Sequence, residues 1–188
     1  MNDVAADGVL TREKILEAAE DVLRRFGPSK TTVVDVARAL GVSHGSVYRH
    51  FPSKAALREA VAERWLESVA QPLDEITDAR EWFDTLIATK RSRAQQDPEL
   101  FATYVNLAHE SGDVITRHVD HLIDSLARIV GDRTTARAMI LATARFHDPK
   151  HAGEWAAPGI DEDFESVWAL LDQAIARPAS SAHSSAAR

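Results

Sequence analysis

Between Leu40 and Lys54 the chain gathers Ser43, His44, Ser46, Tyr48, Arg49, His50 and Lys54, hydroxyls, imidazoles, a phenol and cations in one short stretch. Three chemistries compete for them. The first is nucleophilic: Gly41-Val42-Ser43-His44-Gly45 satisfies G-x-S-x-G, in which hydrolases hold a serine on a strained turn between a buried strand and a helix. The residues ahead of it, V-V-D-V-A-R-A-L, have a helical apolar period instead, and no strand follows. With no Gly-rich phosphate loop and no H-E-x-x-H, the chain is not read as an enzyme. The second is metal binding by histidine, of which there are eight. His147 and His151 are four apart, but Pro149 lies between them and starts a new turn, so they need not share a face. No metal and no cofactor is expected. The third is recognition of nucleic acid, since these groups hydrogen-bond phosphates and base edges.

Such a surface needs short helices to hold it. Thr11 can cap a first helix with Ile15, Leu16, Ala19, Val22, Leu23 and Phe26 along one stripe, ended by Gly27-Pro28. Thr32, with Asp35 three residues on, forms a variant capping box for a second helix that turns Val33, Val36, Ala37 and Leu40 inward. Gly41 supplies the left-handed conformation of a tight turn. Ser43 caps a third helix from His44 to about His50, which Pro52 ends. Ser53 caps a fourth, running to about Gln71. Two of these short helices joined by Leu40-Gly41-Val42-Ser43 spell a helix-turn-helix, with small Ala37 permitting close approach. The third helix is too polar for a core helix, so its side chains need something outside the protein to read.

Helical periods continue over 79–95, from Asp97 as a cap with Pro98 at the first position, over 113–130, over 133–147 and over 161–176, with 153–160 as a loop. Residues 177–188 lack apolar surface and are expected to be a disordered tail. With no alternating strand pattern the fold class is all-α. No apolar run reaches a membrane span, no secretory leader is apparent, and the chain holds no cysteine, all of which suits a cytoplasmic protein without disulfides. Charge is uneven. The formal net charge is -7, yet residues 22–54 hold six cations against one acid, Asp35, while 55–188 hold 14 cations and 22 acids. A basic patch on an acidic body fits a nucleic-acid reader within a larger domain.

Over about 45 residues this string resembles the TetR family of bacterial transcriptional regulators. Carrying the likeness are I-L-E-A-A-E-D-V-L-R-R-F-G, then Thr31-Thr32, Ala37, Gly41-Val42-Ser43, Tyr48, His50-Phe51 and Lys54 in order and spacing. The resemblance implies a DNA-binding domain over 1–54 and a helical ligand-binding and dimerisation domain over 55–176. It further implies that Thr32, Tyr48, His50 and Lys54 meet phosphates. Ser43, His44, Gly45 and Ser46 would open the recognition helix toward base edges, Arg49 could reach either, and Phe51 would lock the motif to the core. The expected partner is double-stranded DNA, a near-palindromic operator bound by a homodimer whose contact surface comes from 133–147 and 161–176. A small-molecule effector held by Trp65, Trp82, Phe101, Tyr104, Asn106, His109 and His147 would release a repressor from that operator. The acidic body favours a neutral or cationic effector. The alternatives are a metal-responsive regulator of the same fold, and a helical small-molecule-binding protein without DNA binding.

Overall fold

Capping decides where the first helices start. In the computed structural model, which describes residues 9–27, 31–110 and 113–176 and only the backbone of 107–110, α1 (Arg12–Phe26) begins where the Thr11 hydroxyl accepts from the Lys14 amide. α2 (Val33–Leu40) begins at a complete capping box between Thr32 and Asp35. Gly41 ends it at φ +68, ψ +25, in the left-handed region, and a Cβ there would meet nothing within 4 Å. Any side chain at this turn is therefore opposed by backbone strain and not by crowding. α3 (His44–Tyr48) is capped by Ser43, and α4 (Lys54–Ala70) by Ser53. α3 is shorter than the span to His50 that the sequence suggests: the His50 and Phe51 amides both turn back to the Val47 carbonyl.

The remaining helices are α5 (Ala79–Gln96), α6 (Pro98–Glu110), α7 (Asp113–Val130), α8 (Arg133–Ala142), α9 (Ala144–His147) and α10 (Ile160–Ala176). The single helix expected over 133–147 is broken at Thr143, whose buried hydroxyl donates to the Met139 carbonyl at 2.8 Å. A threonine bonding back to its own helix competes with the backbone ladder, and α9 lasts one turn before Asp148 caps a 3₁₀ segment, Pro149–Glu154. No strand occurs among the described residues. The expected tail, 177–188, lies outside them.

The chain forms two compact units, Met1–Gln71 with Ser92–Val119, and Pro72–Arg91 with Asp120–Arg188. In the first, α1 packs on α2, α4 and α6, α2 on α3, and α4 on α6, around Ile15, Ala19, Val36, Val47, Phe51 and Val61. Arg24 reaches Asp97 at 2.8 Å and Arg64 reaches Glu20 at 3.3 Å, tying α1 to the residue before α6 and to α4. In the second, Leu73, Trp82, Phe83, Leu86, Leu126, Met139, Phe146 and Phe164 are buried. The Trp82 indole donates to Ser125 at 3.2 Å.

The second unit also buries Lys90, Thr143 and His147, with the Thr143 hydroxyl 3.2 Å from His147 Nε2. Burial, and secondarily the charge of Lys90, hold the His147 imidazole down to about 3. Burial outweighs the nearby Asp148 carboxylate and brings the Lys90 ammonium down to about 8. The unfolded chain takes up the histidine proton near its ordinary value of 6.5, the folded chain only near 3. Between those values the unfolded state binds more protons, so stability falls on acidification. The melting temperature should therefore drop more steeply between about pH 6.5 and about pH 4 in the wild type than in His147→Gln. Equal slopes in a calorimetric pH series would show that His147 is not the group responsible.

Candidate nucleic-acid interface

α3 divides its five residues cleanly. Val47 is fully buried, while His44, Gly45, Tyr48 and the following Arg49 are exposed and Ser46 is half-buried. Ser43 caps the helix by accepting from the Ser46 amide at 3.2 Å, and its hydroxyl lies 2.9 Å from that of Ser46. Arg49 donates to the Ser46 hydroxyl at 3.3 Å. His44 and Tyr48 meet edge to face, with ring centroids 6.4 Å apart. His50 is half-buried, Phe51 is 1% exposed, and Lys54 opens α4 in full view of solvent. Eight of the nine expected DNA-contacting residues thus run along one continuous stretch of chain, from Ser43 to Lys54.

Thr32 is placed differently. Its hydroxyl donates to the Asp35 carboxylate at 2.6 Å and accepts from the Asp35 amide at 3.2 Å. The first of these bonds is the leading cause that holds the Asp35 carboxyl below its usual range. The hydroxyl is committed to capping α2, beside an ionised carboxylate. The basic patch is also thinner than its residue count. Arg24 is engaged by Glu20, Asp21 and Asp97, Arg38 by Asp35, and Lys30 lies outside the described residues. One cation outside the counted stretch stands at this surface: Arg12, the first residue of α1, has its guanidinium carbon 4.4 Å from the centroid of Phe51.

The residues expected to hold a ligand fall into two groups. Trp65 stacks on Tyr104 at 4.7 Å and meets Phe101 at 6.0 Å, all within the first unit. Trp82 and His147 belong to the second, where both contact Phe83 at 5.0 and 6.4 Å. Asn106 is exposed, and the side chain of His109 lies outside the described residues. An open cleft of about 780 Å³ lies between α1 and α2, lined by residues that include Lys14, Asp21, Arg25, Phe26 and Arg38. None of the expected ligand residues borders it. Among the described residues no three potential metal ligands gather, and no helix is long and apolar enough to cross a membrane. His121 pairs with Asp74 and His151 with Glu154, each at 3.1 Å.

Two family patterns match the chain. One, described as bacterial regulatory proteins of the tetR family, covers residues 15–61. The other, the tetracyclin repressor-like C-terminal domain, covers 77–168. The chain belongs to the tetR family. As its members do, it carries a helix-turn-helix at the N-terminus and a helical C-terminal domain. Residues of this tetR-family chain are 38% identical over 76 positions to the probable HTH-type transcriptional regulator ArpR of Pseudomonas putida, covering 40% of this chain and 34% of that protein. They are 40% identical over 76 positions to the nucleoid occlusion factor SlmA of Vibrio cholerae, covering 40% and 38%. The chain spans about a third of the length of the curated relatives it matches. A tetR-family regulator from Streptomyces coelicolor superposes with a TM-score of 0.64 over 88% of this chain and 90% of that one at 14% identity, a likeness of fold.

Gly45 separates folding from contact at this tetR-family surface. A Cβ there would meet only the Ser43 hydroxyl, at the ordinary distance of 3.8 Å. Gly45→Ala should therefore stabilise the protein by up to about 1 kcal/mol through helix propensity. If the glycine lets the backbone approach a groove, the same change weakens DNA binding. Thermal melts and fluorescence anisotropy on the same preparations read the two effects. An alanine variant that is more stable and binds DNA equally well would remove Gly45 from the contact surface.

Proposed function

We propose that this chain is a DNA-binding transcriptional regulator, with residues 1–54 reading DNA and residues 55–176 supplying ligand binding and dimerisation. The observation that carries this reading is the exposure of His44, Gly45, Tyr48, Arg49 and Lys54 around two buried anchors, Val47 and Phe51. A five-residue helix that turns nearly all its polar groups outward suits a groove better than a core. Tyr48, Arg49, His50 and Lys54 would meet phosphates, and Ser43, His44 and Ser46 the edges of bases. Thr32 would contribute through the amide end of α2, since its hydroxyl serves the cap. Anisotropy with a short random duplex at low salt tests the reading, because a working module binds any sequence weakly. No binding at low salt would leave the second reading, a helical small-molecule-binding protein.

ArpR and SlmA each match 40% of this chain and carry different names, so the regulatory half of the proposal rests on the body. There Trp65 is 4% exposed and its indole N–H has no acceptor among the described residues. A buried donor left unsatisfied is costly, and an effector with an acceptor would complete it. We therefore place a small organic effector against Trp65, Phe101 and Tyr104, with release of a repressor from its operator as the response. Trp65→Phe keeps the ring and removes the donor, so an identified effector should need roughly tenfold more to release DNA. Release of both proteins at one concentration would move the effector elsewhere.

The dimer reading favours the outer sides of α8 and α10, where Leu141 and Leu170 are 64% and 69% exposed. Trp168, a natural first choice for disruption, is half-buried and packs on Phe83, 5.9 Å away, so its loss would damage the fold as well. Leu170→Glu should yield folded monomers with sharply weakened operator binding, because two recognition helices are needed for useful specificity. A wild-type protein that is monomeric by light scattering would end this reading.

A further inference from the structure

Arg12 is set against its own helix. As the first residue of α1 it places a full positive charge at the end where the helix dipole is already positive, a position that favours acids. The other arginines of the N-terminal helices with ion pairs are held by carboxylates: Arg24 by Glu20, Asp21 and Asp97, Arg38 by Asp35, and Arg64 by Glu17 and Glu20. The Arg12 side chain makes no ion pair and no hydrogen bond among the described residues. The neighbouring Glu13 carboxyl is held below its usual range first by its own backbone amide and the Thr11 hydroxyl, with the Arg12 charge a smaller contribution. What holds Arg12 is the face of Phe51, 4.4 Å from its guanidinium carbon. A guanidinium lying over a ring is oriented by the ring and keeps its N–H edge available for hydrogen bonds.

Phe51 follows His50 directly and lies three residues before Lys54. Its burial, 1% exposed, fixes the ring and so fixes the charge above it, beside the stretch that ends the recognition helix. The cation is exposed and pre-oriented, with no hydrogen bond or ion pair from its side chain among the described residues.

We propose that Arg12 takes a phosphate of the DNA backbone, extending the DNA-contacting surface from the helix-turn-helix onto the first turn of α1. This rests on the reading of the chain as a DNA-binding protein. The phosphodiester would bond to the outer edge of the guanidinium while the α1 amide end adds its positive potential. Recognition of this kind carries no base information, so its contribution is equal on every sequence.

The test is the salt dependence of binding to a short random duplex, measured by anisotropy for wild type, Arg12→Gln and Arg12→Lys. Circular dichroism melts run beside it confirm that each variant is folded. A dimer loses two contacts in Arg12→Gln, so the slope of log affinity against log salt should become shallower by about 1.8. Affinity should fall on random and operator duplexes by the same factor, and Arg12→Lys should recover most of the slope because it keeps the charge. A weakened Arg12→Gln with an unchanged slope would overturn the proposal, leaving Arg12 as a clamp on Phe51 alone, and so would unchanged binding. Failure of the wild type itself to bind at low salt would instead bring down the DNA-binding reading on which this rests.

Discussion

A helix of five residues closes too few hydrogen bonds to persist in water, since nucleation fixes several residues before propagation begins to repay it. α3 exists because Val47 and Phe51 are buried and because Ser43 caps its first turn. Val47 also accepts the amides of both His50 and Phe51 through its carbonyl, so one residue anchors the helix to the core and turns the chain out of it. Loosening this pair would leave Tyr48, Arg49 and His50 without a defined direction. Everything proposed for the surface depends on that geometry, as does the cation held above Phe51.

Electrostatics sharpen the picture. The stretch richest in basic residues is not uniformly available, because acids from α1 and from the residue before α6 draw Arg24 into ion pairs and Asp35 draws in Arg38. These pairs are partly exposed and each adds little to stability. Their larger effect is on the field the unit presents, since a paired arginine attracts a distant phosphate far less than an isolated one. Among the described residues, Arg25 and Arg49 stand outside these carboxylate pairs, as does Arg12 above Phe51.

Local features of the sequence translated faithfully. Thr11, Thr32, Ser43 and Ser53 all cap the helices that their types and spacing announce, because a cap is made by a residue and its own neighbours two or three positions away. The left-handed turn at Gly41 was equally legible. The break at Thr143 was not, since a threonine inside an apolar period is ordinary, and only burial of its hydroxyl turns it back on Met139. Grouping by distance was hidden as well. Trp65, Phe101 and Tyr104 meet in one unit while Trp82 and His147 sit in the other, and nothing in helical periodicity says which aromatic residues share a unit when α5 and α7 each contribute to both. Nor does composition reveal that Lys90 is buried near His147, or that Arg12, one of many arginines, lies over a ring more than thirty positions away.

The split within α3 between anchors and outward residues has an evolutionary consequence. Val47 and Phe51 bear the folding, whereas His44, Gly45, Tyr48 and Arg49 make no contact that the core requires. Substitutions at separate positions add when they share no partner, so this outward set can be exchanged with little effect on whether the chain folds. New binding preferences can therefore be reached by single steps through stable intermediates. A duplicated copy of such a chain could drift to a new target while the scaffold beneath it stayed unchanged.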